Sequence, residues 1–180
     1  MSRMTEQDDL LSRVAARARQ ESGAALTPAT PEQIKEAETS LGFSLPPLLA
    51  RLYQEVGNGG FGPDYQLLPL IASEGQTAVS TYHAEQAPHQ WPTGVLPILH
   101  WGCAMYAAVD CTVPQAPVLL FEPNVIAEDN WSDAWFLDAD NLSHWLRTWL
   151  SGKAWYLDEE MTGEGYSAPQ PWPQAKHRLT

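Results

Sequence analysis

The stretch Leu45–Gly62, LPPLLARLYQEVGNGGFG, decides the fold because it holds a helix start, a helix stop and a turn in succession. Proline is costly inside a helix but tolerated in its first turn, so the two prolines predict a start. Apolar residues then recur at helical spacing, at Leu48, Leu49, Leu52, Tyr53 and Val56. Gly57 is expected to end the helix in a left-handed conformation, and Asn58-Gly59 predicts a tight turn with positive φ at both residues. The chain should then enter extended structure.

Two helices are predicted before this stretch. The segment TEQDDLLSRVAARARQES has an apolar side, with Thr5 as its N-cap. A connector follows over residues 23–30. The second helix has Thr30 as N-cap, a proline at its first position, Gln33 closing a capping box and Gly42 at its end.

After the turn the spacing of apolar residues changes. The runs DYQLLPLI, GVLPILHWG, MYAAVDC and APVLLFEPN are short and apolar or alternating, which predicts strands. Residues 83–94 and 126–133 are predicted to be loops. The last clear element is a helix over residues 142–150, with Asp138 or Asp140 as its cap and Gly152 as its end.

These elements predict one acidic α+β domain, which suits 180 residues of which 44% are hydrophobic. The predicted organisation is an N-terminal helix over residues 1–25, a core domain over 26–152 and a C-terminal extension over 153–180. The extension can add an edge strand at KAWYLDEEM before a Pro-rich tail packed in part by Trp172. No signal sequence or long apolar run is present, so we expect a cytoplasmic protein without a membrane span.

Charge is unevenly distributed along the chain, which has 22 acidic and 10 basic residues. No Lys or Arg lies between Arg51 and Arg147, an interval that holds eleven acidic residues. Such a field repels phosphate backbones and anionic lipids, so it argues against direct binding of nucleic acid or membranes. It would attract a basic protein partner, although acidity that serves solubility alone is the alternative.

Residue patterns give no convincing catalytic, metal or cofactor site. GNGGFG follows a helix rather than a strand, so it indicates a helix stop and not a phosphate-binding loop. Asp138 and Asp140 are better explained as helix-capping residues than as ligands of a hard cation. His100, Cys103 and Cys111 match no zinc-binding spacing. We therefore expect no cofactor, no metal and no enzymatic activity.

Tryptophan and acidic residues supply the candidate binding surface. The chain has eight tryptophans, and Trp145 and Trp149 lie on the apolar stripe of the last helix, where core burial is expected. Trp131 is the best candidate for an exposed anchor, and a loop tryptophan folded back onto the sheet is the alternative. The partner-binding candidates are Glu128, Asp129, Trp131, Asp133, Asp64 and Trp91.

The run PEQIKEAETSLGFSLPPLLARLYQEVGNGGFGP resembles the SUKH superfamily, a group of bacterial toxin-immunity proteins that also includes a fungal regulator of cell-wall synthesis. The residues that carry the resemblance are Ile34, Glu38, Leu41, Gly42, Leu45, Pro46, Leu52, Asn58, Gly59 and Gly60. VLPILHWGCAMYAAVDC is similar to the later strand pair of the family, which ends at Asp110 here. The turn before Met105 departs from the family, because HWGCAM stands where a polar Gly-Asp is frequent. The resemblance covers residues 30–150.

The resemblance implies helices packed on a central, largely antiparallel sheet with a C-terminal helix. It assigns structural roles to Leu45, Pro46, Asn58, Gly59 and Gly60. It also implies a non-catalytic cytoplasmic immunity protein that binds a cognate toxin, often a nuclease, and a basic toxin would suit the acidic middle of this chain. A general interaction or regulatory module and an enzyme that uses the carboxylates or the His/Cys group are the alternatives. The sequence gives no oligomeric state.

Overall fold

A five-stranded antiparallel sheet with helices packed around it forms the fold. The computed structural model describes residues 4–152 and 170–179. The helices are α1 (Glu6–Ser22), α2 (Pro31–Leu41), α3 (Pro47–Arg51), α4 (Ala78–His89), α5 (Leu142–Leu150) and α6 (Ala175–Arg178). The strands are β1 (Val95–Gly102), β2 (Met105–Asp110), β3 (Val118–Phe121), β4 (Trp135–Ala139) and β5 (Gln170–Pro171), in that order across the sheet. The predicted α+β class is confirmed.

The helix that begins at the two prolines forms as predicted. α3 starts at Pro47 and continues as a π-helical turn over Leu52–Val56. Gly57 is not left-handed as predicted, since its φ of 174° is extended backbone. Glycine is needed there for space instead, because a Cβ on residue 57 would lie 2.7 Å from the Cβ of Leu26.

The turn after the helix is made by two residues with different roles. Gly59 has the predicted positive φ, 79°. Asn58 does not, and its side chain acts instead, with Nδ2 donating to the Ile71 carbonyl (3.0 Å) and Oδ1 accepting from the Leu70 amide (2.8 Å). These bonds fix the chain after the turn. The predicted strand DYQLLPLI is wrong, because only Leu67 pairs, in an isolated antiparallel bridge with Leu99.

Two regular elements depart from the sequence prediction. α4 occupies residues 78–89, so the expected loop over 83–94 is mostly helix. It starts at a capping box made by Thr77 and Ser80, and the Tyr82 hydroxyl accepts a hydrogen bond from the Gly94 amide before β1. β4 pairs with β3 directly after the acidic loop. A local capping box starts α4, but its body packs against β1, and β4 is defined by its pairing with β3.

α5 closes the domain with a cap that differs from the predicted one. Asn141 is the N-cap, and its Oδ1 accepts from the His144 amide at 2.8 Å. Asp138 lies within β4 instead and accepts a hydrogen bond from the indole of Trp145 at 2.9 Å. The carboxylate therefore ties the strand to the helix, and the prediction that it caps α5 is wrong.

One continuous core joins the helices to the sheet. The predicted core residues Leu48, Leu52, Tyr53, Trp145 and Trp149 are all buried. α1 packs against α5 and the π-helical turn, which buries its apolar side. Trp172 is buried against Trp135, as expected for a packed tail, while the proposed edge strand at 153–161 lies outside the described residues. Within residues 4–152 and 170–179, no helix has the length and apolarity to cross a lipid bilayer.

Candidate partner-binding surface

One end of the sheet gathers three loops. It carries the β1–β2 turn at residues 102–105, the β3–β4 connection at 122–134, and residues 62–66, which the antiparallel Leu67–Leu99 bridge places beside the last residues of β1. We call this region the hairpin end. Antiparallel strand direction thus brings Asp64 to the same end as the predicted acidic loop.

Trp91 does not lie on this surface, which corrects the prediction that it contacts a partner. It is 4% exposed, and its indole donates to the Val95 carbonyl at 2.7 Å. Its ring centroid lies 5.0 Å from that of Phe121 and 4.7 Å from that of Trp135. The residue precedes β1 in a loop, but its side chain fills the core on one face of the sheet.

Trp131 is half-buried and folded back onto the sheet. Its ring stacks on Phe121 with centroids 6.5 Å apart and an interplanar angle of 28°. The 3₁₀ turn Trp131–Ala134 contacts α6, so the loop is supported from two sides. Trp131 therefore resembles a sheet cap more than a freely exposed anchor.

The acidic side chains around Trp131 face solvent. Glu128, Asp129 and Asp133 are exposed. The loop is shaped by internal hydrogen bonds, in which Asn130 Nδ2 donates to Asp133 Oδ2 (2.6 Å) and the Trp131 amide donates to the Asp129 carbonyl (3.0 Å). The bonds thus fix the loop backbone and the Asp133 carboxylate, while all three acids stay exposed.

A second set of bonds ties this loop to the β1–β2 turn. Glu122 Oε1 accepts from the Asn124 amide at 2.8 Å, and Asn124 Nδ2 donates to the Cys103 carbonyl at 3.0 Å. Cys103 and Ala104 both have positive φ, 50° and 61°, as a tight two-residue hairpin turn requires. On the other side of the turn, Tyr65 packs edge-on against Trp101, with centroids 6.2 Å apart. The three loops therefore form one continuous surface.

The exposed acids of this surface form no ion pair within residues 4–152 and 170–179. Among the described residues, no Lys, Arg or His forms an ion pair with Asp64, Glu128, Asp129 or Asp133. Each described arginine that forms an ion pair does so with a carboxylate outside the hairpin end. Their pairs are Arg17–Glu21, Arg51–Asp8, Arg51–Glu55, Arg147–Glu6 and Arg178–Asp110.

Local bonds and burial explain the clearest pKa shifts. Hydrogen bonds from the Thr5 side chain and backbone, followed by one from Arg51, lower the pKa of Asp8 to about 2. Burial raises the pKa of Asp138 to about 6, against the effect of the Trp145 hydrogen bond. Burial also raises the pKa of the Cys111 thiol to about 12, which leaves it protonated and weakly nucleophilic at neutral pH.

The candidate anion-binding amides are used in backbone hydrogen bonds, and the candidate metal-ligating cysteines are far from one another. The amides of residues 57–60 all donate to backbone carbonyls, so these four amides are not directed at an anion. Cys103 lies at the hairpin end and Cys111 just after the opposite end of β2, so the two cysteines considered as metal ligands lie apart. Within the part of the chain described here, no three His, Cys, Asp or Glu side chains are grouped as metal ligands.

Sequence reasoning missed two exposed apolar residues at the hairpin end, Tyr65 and Val125. The apolar run that includes Tyr65 predicts a strand, which does not form. Val125 lies in the 3₁₀ turn Pro123–Val125, directly after the run that forms β3. The available clue was that Tyr65 follows an acidic residue, Asp64, directly after the turn-forming pair Gly62-Pro63.

The family model described as SMI1 / KNR4 family (SUKH-1) matches residues 28–148 of the chain. The match runs from the residues before α2 into α5 and includes the three loops of the hairpin end. α1 and the C-terminal segment with β5 and α6 lie outside it. No curated protein matches the chain.

Proposed function

Because the chain belongs to the SMI1 / KNR4 family (SUKH-1), we propose that it is a non-catalytic immunity protein that binds and neutralises a cognate bacterial toxin in the cytoplasm of the cell that makes it. The observation that carries the proposal is the exposed acidic surface at the hairpin end, where no cation neutralises Asp64, Glu128, Asp129 or Asp133 among the described residues.

The partner that suits this surface is a toxin with a basic face, such as a nuclease. A nuclease needs positive charge to hold a phosphate backbone, and an acidic inhibitor can occupy that charge. Complementary fields also accelerate the encounter of the two proteins, which matters for an inhibitor that must act before the toxin does. The formal net charge of −12 favours such steering.

A binding role rather than catalysis is supported by how the polar groups are used. Asp138 accepts from Trp145, Asp110 accepts from Thr112 and Arg178, and Asn58 bonds the backbone at residues 70 and 71. Each of these side chains stabilises the fold. Glu128, Asp129 and Asp133, by contrast, are exposed on one loop of the hairpin end, while Asp64 lines a cavity with Arg17 and Glu21.

The test is co-expression of the chain with the product of the neighbouring gene, followed by purification and a toxicity assay. We expect a stable complex, loss of toxin activity at equimolar inhibitor, and protection of cells. Polyglutamate of similar charge serves as the control, because a nonspecific polyanion should not inhibit at equimolar amounts. Absence of a complex would contradict the proposal, and a complex that leaves the toxin active would assign the chain to the regulatory role instead.

A further inference from the structure

We infer that the toxin-binding surface is a composite of all three loops at the hairpin end, and that Tyr65 rather than Trp131 is its aromatic anchor. This inference rests on the proposed function and specifies which residues contact the toxin. Three large apolar side chains are well exposed among the described residues, namely Met4 (67%), Tyr65 (58%) and Val125 (61%). Two of the three lie at the hairpin end, together with the acids that form no ion pair with any described residue.

The Tyr65 ring is held in place before any partner arrives. Its edge-to-face contact with Trp101, at an interplanar angle of 83°, supports one side of the ring. The backbone around it is pinned, because the Gln66 amide donates to the Pro63 carbonyl (2.6 Å) and the Leu67 amide to the Phe61 carbonyl (2.7 Å). A fixed aromatic side chain loses little conformational entropy on binding, which is the property of an anchor.

Val125 lies on the opposite flank of the β1–β2 turn and is fixed in a comparable way. The preceding Asn124 bonds both Glu122 and the Cys103 carbonyl, so the 3₁₀ turn that presents Val125 is attached to the hairpin. The surface thus has an aromatic side chain on one side of the turn and an aliphatic one on the other. A partner that contacts both must span the whole end of the sheet.

Trp131 has a different role in this arrangement. Its ring faces Phe121 and packs against the core, so most of its apolar surface is already buried in the free protein. Burial that exists before binding adds little to affinity. Trp131 instead positions the loop that carries Glu128, Asp129 and Asp133.

The chemistry of the surface specifies a protein partner that combines positive charge with an apolar depression. Asp64 lies next to Tyr65, and the acids of the β3–β4 connection lie across the turn. An aromatic anchor surrounded by carboxylates matches a pocket whose rim carries Lys or Arg, the arrangement found at binding hot spots. Phosphate-bearing partners are disfavoured because the same acids repel them.

The test measures binding of variants to the neighbouring-gene toxin, purified in a catalytically inactive form. Tyr65→Ala should raise Kd by roughly 30-fold or more, mainly through faster dissociation, as expected for a hot-spot residue. Tyr65→Phe, which keeps the ring, should stay within roughly 5-fold of the wild type. Met4→Ala is the matched control, because Met4 is as exposed as Tyr65 but lies elsewhere. It precedes α1, and the first turn of α1 lies beside residues 114–116, near the opposite end of the sheet. Trp131→Phe should retain binding, since a ring can still stack on Phe121.

The outcomes separate this inference from the proposed function. If the wild-type chain forms no complex, the proposed function fails and the inference with it. If the complex forms and Tyr65→Ala changes Kd by less than about 3-fold, the inference is overturned while the proposed function stands. A larger loss from Trp131→Phe than from Tyr65→Ala would likewise overturn it and restore Trp131 as the anchor.

Discussion

Gly59 lies so close to Pro69 that a Cβ on residue 59 would come within 2.6 Å of the Pro69 nitrogen. The Leu68 carbonyl carbon, at 2.7 Å from the same position, closes the space further. Backbone cannot move aside as the end of a flexible side chain can. The turn that ends the deciding stretch is therefore packed against the chain that follows it, and glycine is required by space as well as by φ.

Gly59→Ala should lower the free energy of unfolding by about 3 kcal/mol or more, because positive-φ strain of about 1 to 2 kcal/mol adds to the clash with backbone. Gly42→Ala is the control, since Gly42 has a φ of 81° but open space where a Cβ would lie. It should cost only the strain of about 1 to 2 kcal/mol. Urea denaturation of both variants measures the difference. Equal losses would show that the clash is relieved and that φ alone matters.

Arg178 should stabilise the fold although it lies beyond the family match. Its guanidinium contacts Asp110, whose side chain is 1% exposed, at 3.1 Å, and donates to the Thr93 carbonyl at 2.7 Å. Arg178→Gln should cost about 2 to 4 kcal/mol, because it leaves a buried carboxylate with only the Thr112 hydrogen bonds. Urea denaturation measures the loss.

The neighbouring Lys176→Gln, at an exposed position of α6, is the control for the Arg178 variant. It removes the same charge and should change the free energy of unfolding by less than about 0.5 kcal/mol. If the two variants are equally stable, the C-terminal segment contributes little to holding Asp110.

Trp91 should affect stability rather than binding. Trp91→Ala removes a buried indole that contacts three other rings, and we expect a loss of about 3 to 5 kcal/mol in the free energy of unfolding. Any variant that remains folded at low temperature should bind the partner with nearly unchanged affinity. A stable Trp91→Ala protein with weakened binding would restore Trp91 to the contact surface.

Local chemistry made part of the fold predictable. α1 and α2 begin with capping boxes, Thr5 with Asp8 and Thr30 with Gln33, and these require only residues close in sequence. α4 has no clear apolar stripe, and its position depends on contacts with β1 and on the bond from Tyr106 to Glu85. Elements of this kind cannot be read from periodicity, because their stabilising partners are distant in sequence.

Part of the candidate binding surface could likewise be predicted from the sequence and part could not. The exposure of Glu128, Asp129 and Asp133 could be predicted, because these acids cluster in a polar loop without apolar spacing, whereas the burial of Asp110 in the same cation-free interval could not. The orientation of an aromatic ring could not, because Trp91 and Trp131 both lie in loops by sequence, yet the first is buried and the second half-buried. Phe121 is 30 residues from Trp91 and ten from Trp131, and it contacts both.

Asp138 should make stability depend on pH. Its pKa is about 6 in the folded protein against 3.8 as the ordinary value, so the folded state retains the proton at a pH where the unfolded chain has lost it. The free energy of unfolding therefore falls as the pH rises from about 4 to about 6, because the folded state must then lose the proton that it holds more tightly. Between pH 5 and pH 7.5 the free energy of unfolding should fall by about 1 to 2 kcal/mol less in Asp138→Asn than in the wild type. The substitution keeps an oxygen that can accept the hydrogen bond from the Trp145 indole. Unfolding at the two pH values measures this.

The exposed Asp140 provides the control for that experiment. Asp140→Asn changes the net charge equally and should leave the pH dependence as in the wild type. If the two variants have the same pH profile, Asp138 is not the group responsible.

The acids of the β3–β4 loop should set the rate of association with the toxin. Asp129→Asn with Asp133→Asn removes two exposed charges, and the amide oxygen introduced at position 133 can still accept the bond from Asn130. We expect slower association at low salt and a smaller effect as salt rises, because the Debye length falls to about 8 Å at physiological ionic strength. Stopped-flow or biosensor kinetics over a salt series measure this.

The control pair Glu32→Gln with Glu36→Gln, on the exposed side of α2, changes the net charge equally. If both pairs slow association alike, net charge alone steers the encounter, whereas a larger effect of the loop pair places the contact at the hairpin end.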